Sequence, residues 1–158
     1  MAKPSSPIFK VSGLYQVGIV VRDLERSMEQ YSKVLGIDKW GTLYCDPSNT
    51  RDMTYHGNPV EYRFKVAFAK VGYIELELIQ PLEGDNIYSD FLKEHGEGLH
   101  HLGHLRVKNL NEAVRAWEKA GFSCLQSGRV PEGTYAYIDT VKALGVILEL
   151  FEFTKEVS

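Results

Sequence analysis

The sequence predicts an α+β fold in which two βαβββ modules of one chain pair into a single cupped mixed sheet. Three observations predict it. Residues 14–36 (LYQVGIVVRDLERSMEQYSKVLG) and 99–121 (LHHLGHLRVKNLNEAVRAWEKAG) read as two copies of one strand–helix unit, and a repeat inside a chain constrains architecture before any single residue does. A second pair of stretches, GYIELELI at 72–79 and GVILELF at 145–151, recurs downstream of each copy. In that pair a glutamate, Glu77 or Glu149, stands between leucines at the same place.

The elements follow in order. Residues 1–12 predict a flexible tail, because Met-Ala-Lys-Pro-Ser-Ser-Pro lacks the apolar stretch of a signal peptide. The first module covers 13–80. Its apolar strand, 14–21, runs into Asp23, a helix-start residue. Leu24, Met28, Tyr31 and Leu35 then recur at helical spacing over 23–35, and Gly36 stops the helix. Three strands follow at 39–44, 61–69 and 73–80. The turn-rich stretch 45–60 (CDPSNTRDMTYHGNPV) predicts a long loop. Residues 81–98, with Ile87 and Phe91 amid polar neighbours, predict a linker carrying a short helix. The second module covers 99–153: a strand at 101–107, the helix-start Asn109, a helix over 110–120 spaced by Leu110, Val114 and Trp117, the stop Gly121, and strands at 123–127, 135–140 and 146–152. Residues 154–158 predict a C-terminal tail.

Composition excludes several classes. The chain has 158 residues, 44% hydrophobic and 25% charged, which suits one compact domain and rules out wholesale disorder. A net charge of −3 provides no field for nucleic acid or anionic lipid, and no apolar run approaches the roughly 18 residues of a membrane span. Two cysteines, Cys45 and Cys124, make no disulfide framework and fit a reducing compartment. A cytoplasmic protein without nucleic-acid or membrane partners is the expectation.

On each repeated strand the leucines share the face that packs under the helix, and the glutamate takes the opposite, cupped face. A carboxylate between apolar neighbours is costly unless something pairs with it. An ion pair or a solvated face would explain one such glutamate, but its recurrence in both copies points to a shared task. Near the start of the first strand of each copy stands a further donor, Gln16 or the pair His100–His101. Four oxygen and nitrogen donors from two related modules can converge on one divalent cation per chain, with Zn, Ni, Co or Mn the better candidates and Fe(II) the weaker one. The cupped sheet would then close around a metal site. The spacing leaves one alternative open. From Gln16 to Leu24 is eight positions, and from His101 to Leu110 is nine. A one-residue β-bulge between 101 and 105 restores His101 to the donor set; without it His104, which shares a face with Leu102 and Arg106, enters instead. His56 and His95 carry no argument for chemistry.

The sequence resembles the vicinal oxygen chelate superfamily over about residues 13–153. That superfamily includes glyoxalase I, methylmalonyl-CoA epimerase, extradiol dioxygenases and the bleomycin- and fosfomycin-resistance proteins. The stretches QVGIVVRDLERSMEQYSKVLGI, ELIQPLEGDNIYSDFLKEHGEGLHHLG and GVILEL look most like the epimerase branch. The resemblance implies one metal held by Gln16, Glu77, His101 and Glu149. Epimerases usually have histidine at the Gln16 position, and the set Gln, Glu, His, Glu is similar to that of zinc-type glyoxalase I. It implies a lyase or isomerase that removes a proton beside a metal-polarised carbonyl of a small organic or thioester substrate. A metal-bound glutamate, Glu149 or Glu77, would be the base, and Glu61 is the nearest counterpart of a further glutamate used in the epimerase branch. It also implies a homodimer. Two other readings stay open: an Fe(II)-dependent extradiol-type dioxygenase, against which Gln16 weighs, and a metal-free binding or resistance protein of the same fold. Among nine tyrosines, Tyr44, Tyr55, Tyr62, Tyr73, Tyr135 and Tyr137 fall in or near strands and loops that can border the cup, which interfaces or core edges explain equally well, whereas Arg106, Arg129, Lys65 and Lys142 are too scattered to name a phosphate or carboxylate site.

Overall fold

The computed structural model describes residues 6–155. The first module contributes β1 (Gln16–Val20), α1 (Leu24–Leu35), β2 (Gly41–Cys45), β5 (Arg63–Val71) and β6 (Ile74–Glu83); the second contributes β7 (Gly98–Arg106), α3 (Leu110–Lys119), β8 (Cys124–Val130), β9 (Gly133–Ile138) and β10 (Ile147–Phe153). Within the first module β3 (Arg51–Tyr55) and β4 (Asn58–Pro59) separate β2 from β5, α2 (Ile87–His95) lies between the modules, and a short α4 (Val141–Leu144) precedes β10. The predicted tails 1–12 and 154–158 fall partly outside the described residues; within them, Phe9 packs half-buried against the core of the second module.

Both long helices begin where the sequence says they should. Asp23 Oδ1 accepts from the Arg26 N–H at 2.9 Å, and Asn109 Oδ1 from the Glu112 N–H at 3.0 Å. Each such cap contributes about 1 kcal/mol by satisfying an otherwise unpaired donor of the first turn. Leu24, Met28 and Tyr31 pack on Ala67 and Leu78, while Leu110, Val114 and Trp117 pack on Leu105, Leu148 and Leu150. Leu35, expected on the packed face of α1, is instead 65% exposed. It closes the last turn, beyond the sheet surface that Met28 and Tyr31 already cover.

The ten strands of the described residues form one mixed sheet in the order β2-β5-β6-β1-β7-β10-β9-β8-β3-β4. Its halves are alike: β1 runs parallel to β6, and β7 parallel to β10. The two halves join through the antiparallel pair β1–β7 at the centre. β2 and β3 stand towards opposite ends of this order, yet only residues 46–50 connect them. A link that short spans at most about 20 Å, so the sheet must curl until its ends approach each other. Inside the curl lies a core drawn from both modules, including Cys45, Met53, Tyr62, Phe64, Tyr88, Tyr135 and Phe151. No helix among the described residues is long and apolar enough to cross a membrane.

The segment 45–60 differs from the long loop expected. It forms the hairpin β3–β4, turned at His56 and Gly57 with φ of 47° and 79°, and β3 pairs with β8 of the other module. Only Met53 of β3 is buried, so no alternating apolar pattern marked it. A tertiary partner, not local propensity, makes this strand. The extra residue of the second copy is also accounted for. Leu148 pairs with Leu102 and Leu150 with Leu105, so three steps on β7 match two on β10, and His104 takes a left-handed φ of 52°. This bulge keeps Leu105 under α3 while His101 faces Gln16 and Glu77.

Because the cup core is built from both halves, heat or urea is expected to unfold the protein in one cooperative transition. Leu150→Ala, at a fully buried position, should lower stability by about 2–5 kcal/mol. Two resolved transitions in calorimetry would contradict a shared core.

Candidate functional site

The site forms where the two central strands cross the middle of the cup. Gly18 of β1 has Glu77 of β6 as its register partner on one side and His101 of β7 on the other. Gln16, two residues earlier, is opposite Gly103 of β7, and Glu149 comes in from β10. The two glycines are what let these side chains meet. A Cβ on Gly18 would lie 2.0 Å from Cε1 of His101, and one on Gly103 would lie 2.5 Å from Gln16 Oε1 and 2.6 Å from Glu149 Oε2. The pattern is the same in both modules: a donor, one residue, then glycine, as Gln16-Val17-Gly18 and His101-Leu102-Gly103. That signal was available in the sequence and marks the site more sharply than the glutamates alone.

Four of the five residues singled out for metal or catalysis are thus brought together, all from one chain and all buried. His101 Nε2 is 3.2 Å from Gln16 Oε1, 3.4 Å from Glu77 Oε2 and 3.9 Å from Glu149 Oε2. The Gln16 amide is oriented from behind: its Nε2 donates to Glu75 Oε1 at 2.9 Å and stands 3.2 Å from His104 Nε2. An acceptor-only carboxylate fixes which end of the amide is nitrogen, so Oε1 faces His101. Glu149 Oε2 accepts the His104 backbone N–H at 3.2 Å. His104 therefore borders the site without replacing His101. Glu61 does not reach it: it is exposed ahead of β5, whose cup-facing residues are Phe64, Val66 and Phe68.

Three acceptor oxygens surround one imidazole nitrogen that carries at most one hydrogen. Glu77 Oε2 is in consequence buried with no hydrogen-bond partner. Burial, together with the charge of Glu75, pushes the Glu77 carboxyl up to about 8; burial also pushes Glu149 up to about 7, although His101 works against it. Burial lowers His101, and lowers His104 to about 4 with help from His101 and Arg106. Burial drives the carboxylates and imidazoles alike towards neutrality. A divalent cation would supply the positive charge that lets the two carboxyls ionise there. Ligands about 2.0–2.2 Å from a tetrahedral zinc stand roughly 3.3–3.6 Å apart, close to the 3.2 and 3.4 Å separations seen here. Among the described residues no three His, Cys, Asp or Glu side chains make a ready metal site by themselves. Glu149 stands at the wider 3.9 Å, and the orphaned Glu77 oxygen, beside an amide oxygen and an imidazole nitrogen, is a donor of the type a divalent cation takes.

Glu77, Glu149 and His104 line a cavity of about 510 Å³ walled by Tyr15, Phe64, Tyr88, Tyr137, Phe151 and Phe153, and Gln16 and His101 lie buried beneath them. Tyr73 and Tyr135 also border it, whereas Tyr62 lies beneath, its hydroxyl 2.7 Å from that of Tyr135. Tyr55 bonds Asp90 instead, and Tyr44 is 45% exposed. Tyr15 and Tyr88, which the sequence reading passed over, both line the cup. Arg106 borders its mouth, stacked 4.4 Å from the Tyr15 ring centroid.

A family model described as the glyoxalase/bleomycin resistance protein/dioxygenase superfamily matches residues 15–138. The chain belongs to that superfamily. Within the superfamily it is 31% identical over 116 residues to the mitochondrial methylmalonyl-CoA epimerase of Mus musculus, covering 73% of this chain and 57% of that protein. It is 28% identical over 144 residues to the uncharacterised protein YqjC of Bacillus subtilis, covering 88% and 91%. The chain thus spans little more than half the length of the mouse relative. Among solved structures, methylmalonyl-CoA epimerase from Mycobacterium tuberculosis superposes with a TM-score of 0.61 at 23% identity, covering 98% and 95% of the two chains. A Streptomyces coelicolor methylmalonyl-CoA epimerase variant in complex with 2-nitronate-propionyl-CoA gives 0.62 at 18% identity, covering 92% and 100%. These likenesses establish that the curled two-module sheet is the superfamily fold.

The buried carboxyls predict a pH dependence for the metal-free protein. Their folded pKa values, about 8 and about 7, lie above the ordinary 4.5, so the folded state holds protons that the unfolded state has released. Stability should therefore fall as pH rises towards 8. The lowered histidines act in the opposite sense, but only below about 6.5. Urea titrations between pH 6.5 and 8 should show the decline, and Glu77→Gln should flatten it. A flat or rising wild-type curve in that window would contradict the assigned electrostatics.

Proposed function

We propose that this protein is a divalent-metal-dependent isomerase or lyase of the epimerase and glyoxalase type, acting beside the carbonyl of a small organic or thioester substrate. The observation that carries this reading is the convergence of Gln16, Glu77 and Glu149 on Nε2 of His101, with one carboxylate oxygen buried and unpartnered. Those four residues would hold the cation. When bound, it polarises a substrate carbonyl and offsets the negative charge that develops on that oxygen as the neighbouring proton leaves.

The chain's own residues do the rest. Glu149 is the proposed base: it borders the cavity, and one of its oxygens accepts the His104 backbone N–H. Glu77, facing it across His101, is the second carboxylate through which a proton can return. The aromatic wall lowers the local dielectric, which strengthens each electrostatic contact beside it. Names of the relatives favour an acyl-CoA thioester with an acidic α-hydrogen over a hemithioacetal. One chain supplies the whole donor set, so the homodimer expected from the sequence is not needed to complete it.

One observation favours a second reading. His104 Nε2 is 3.9 Å from Glu149 Oε2, the same distance as His101 Nε2, and two histidines with one carboxylate suit non-haem Fe(II) and oxygen chemistry. Against it, Nε2 of His104 already faces the Gln16 amide.

Solvent deuterium exchange separates the readings. Metal-loaded protein should exchange the α-hydrogen of methylmalonyl-CoA or a related thioester. Glu149→Gln should keep the ion and lose about two to four orders of magnitude in rate. His101→Ala should lose the ion, and His104→Ala should keep it. Retained exchange in Glu149→Gln would move the base to Glu77, whereas oxygen uptake with a catechol and no exchange would favour the dioxygenase.

A further inference from the structure

A histidine that this chemistry leaves unused lies directly behind His101. His100 and His101 are consecutive in β7, yet both are buried, at 2% and 0% exposure. Neighbours on a regular strand point to opposite faces. The β1–β7 register resolves this: Gly18 pairs with His101 but Ile19 pairs with Leu99, so His100 is the extra residue of a second bulge. The ring lies in a cage of Tyr88, Phe91 and Tyr137, at centroid distances of 5.4, 5.2 and 5.9 Å. Its Nδ1 is 2.9 Å from Nδ1 of His101, and its Nε2 has no hydrogen-bond partner.

We propose that His100 is a positioning residue: by accepting the Nδ1–H of His101 it holds that imidazole in the tautomer whose Nε2 lone pair faces Gln16, Glu77 and Glu149. This rests on the metal-dependent reading above.

A 2.9 Å contact between two ring nitrogens needs one hydrogen between them, so the two tautomers are coupled. If His101 carries its hydrogen on Nε2, His100 must donate from Nδ1 and its own Nε2 is bare. If Nε2 of His101 is bare, the hydrogen sits on its Nδ1, His100 accepts it, and His100 carries a hydrogen on Nε2. The second arrangement is the one a cation at Nε2 of His101 requires. The nearby hydroxyls of Tyr88 and Tyr137 bond to each other at 2.8 Å, and neither is a partner of His100 Nε2. An imidazole partner also suits the charge of the site. Two carboxylates already face the donor set, and a third behind His101 would weaken the pull of a cation on a carbonyl. His100 orients without adding charge.

Metal-binding histidines generally have their second N–H held by an acceptor, and removing it typically weakens metal affinity about 10–100-fold. The test is zinc affinity, measured by competition with a chromophoric chelator, alongside ¹⁵N shifts of the histidine rings. Zinc-loaded wild type should show the His101 hydrogen on Nδ1. His100→Phe, which fills the cage without an acceptor, should bind zinc about 10–100-fold more weakly, and His100→Asn, which restores a neutral acceptor, should recover most of that loss. Equal zinc affinity in wild type and His100→Phe would overturn the proposal, as would a His101 Nε2–H in the zinc-loaded wild type. Wild type that binds no zinc would instead overturn the metal reading itself, and this inference with it.

Discussion

Two buried carboxylates and one amide oxygen share a single imidazole nitrogen, and the centre of the fold is arranged around that constraint. A carboxylate oxygen without a partner in a low-dielectric interior costs on the order of several kcal/mol. Glu77 Oε2 is such an atom. Side chains with bulk at positions 18 and 103 would keep the donors apart, and glycine stands at both. The β7 bulges serve the same end. One absorbs the extra residue so that His101 faces inwards while Leu105 stays under α3, and the other turns His100 behind it.

Duplication supplies the symmetry, and departures from it supply the chemistry. Gln16 and His101 are equivalent positions, as are Glu77 and Glu149, and Gly18 and Gly103. The first copy offers an amide and the second an imidazole, so the ring of donors is mixed in charge and hardness. The amide is held by Glu75 and His104, and the imidazole by His100. The strands that carry these residues lie side by side at the seam between the modules, where both halves of the core fix them.

Much of this was legible in the sequence because it rests on local pattern. Asp23 and Asn109 announced their helices, and the doubled leucine–glutamate strands announced the sheet faces. The nine-position spacing from His101 to Leu110 left either a bulge or His104 in the site, and a bulge is there. What stayed hidden depends on contacts distant in the chain. The strand 51–55 exists because β8 offers an edge, so its polar sequence read as loop. Leu35 fits the helical period but projects beyond the sheet. Glu61 aligned loosely with a family position, and the structure leaves it outside the cup. His100, Glu75 and Tyr88 act through partners on other strands and helices, which no spacing rule connects.

The central claim is that these four side chains form one cation site. Crystals grown with Co²⁺ and recorded on either side of its absorption edge test it directly. The account predicts a single anomalous peak per chain bounded by Gln16, Glu77, His101 and Glu149, at the inner wall of the cup. A peak bound elsewhere, or no peak at saturating cobalt with the four side chains still gathered around His101, would contradict it.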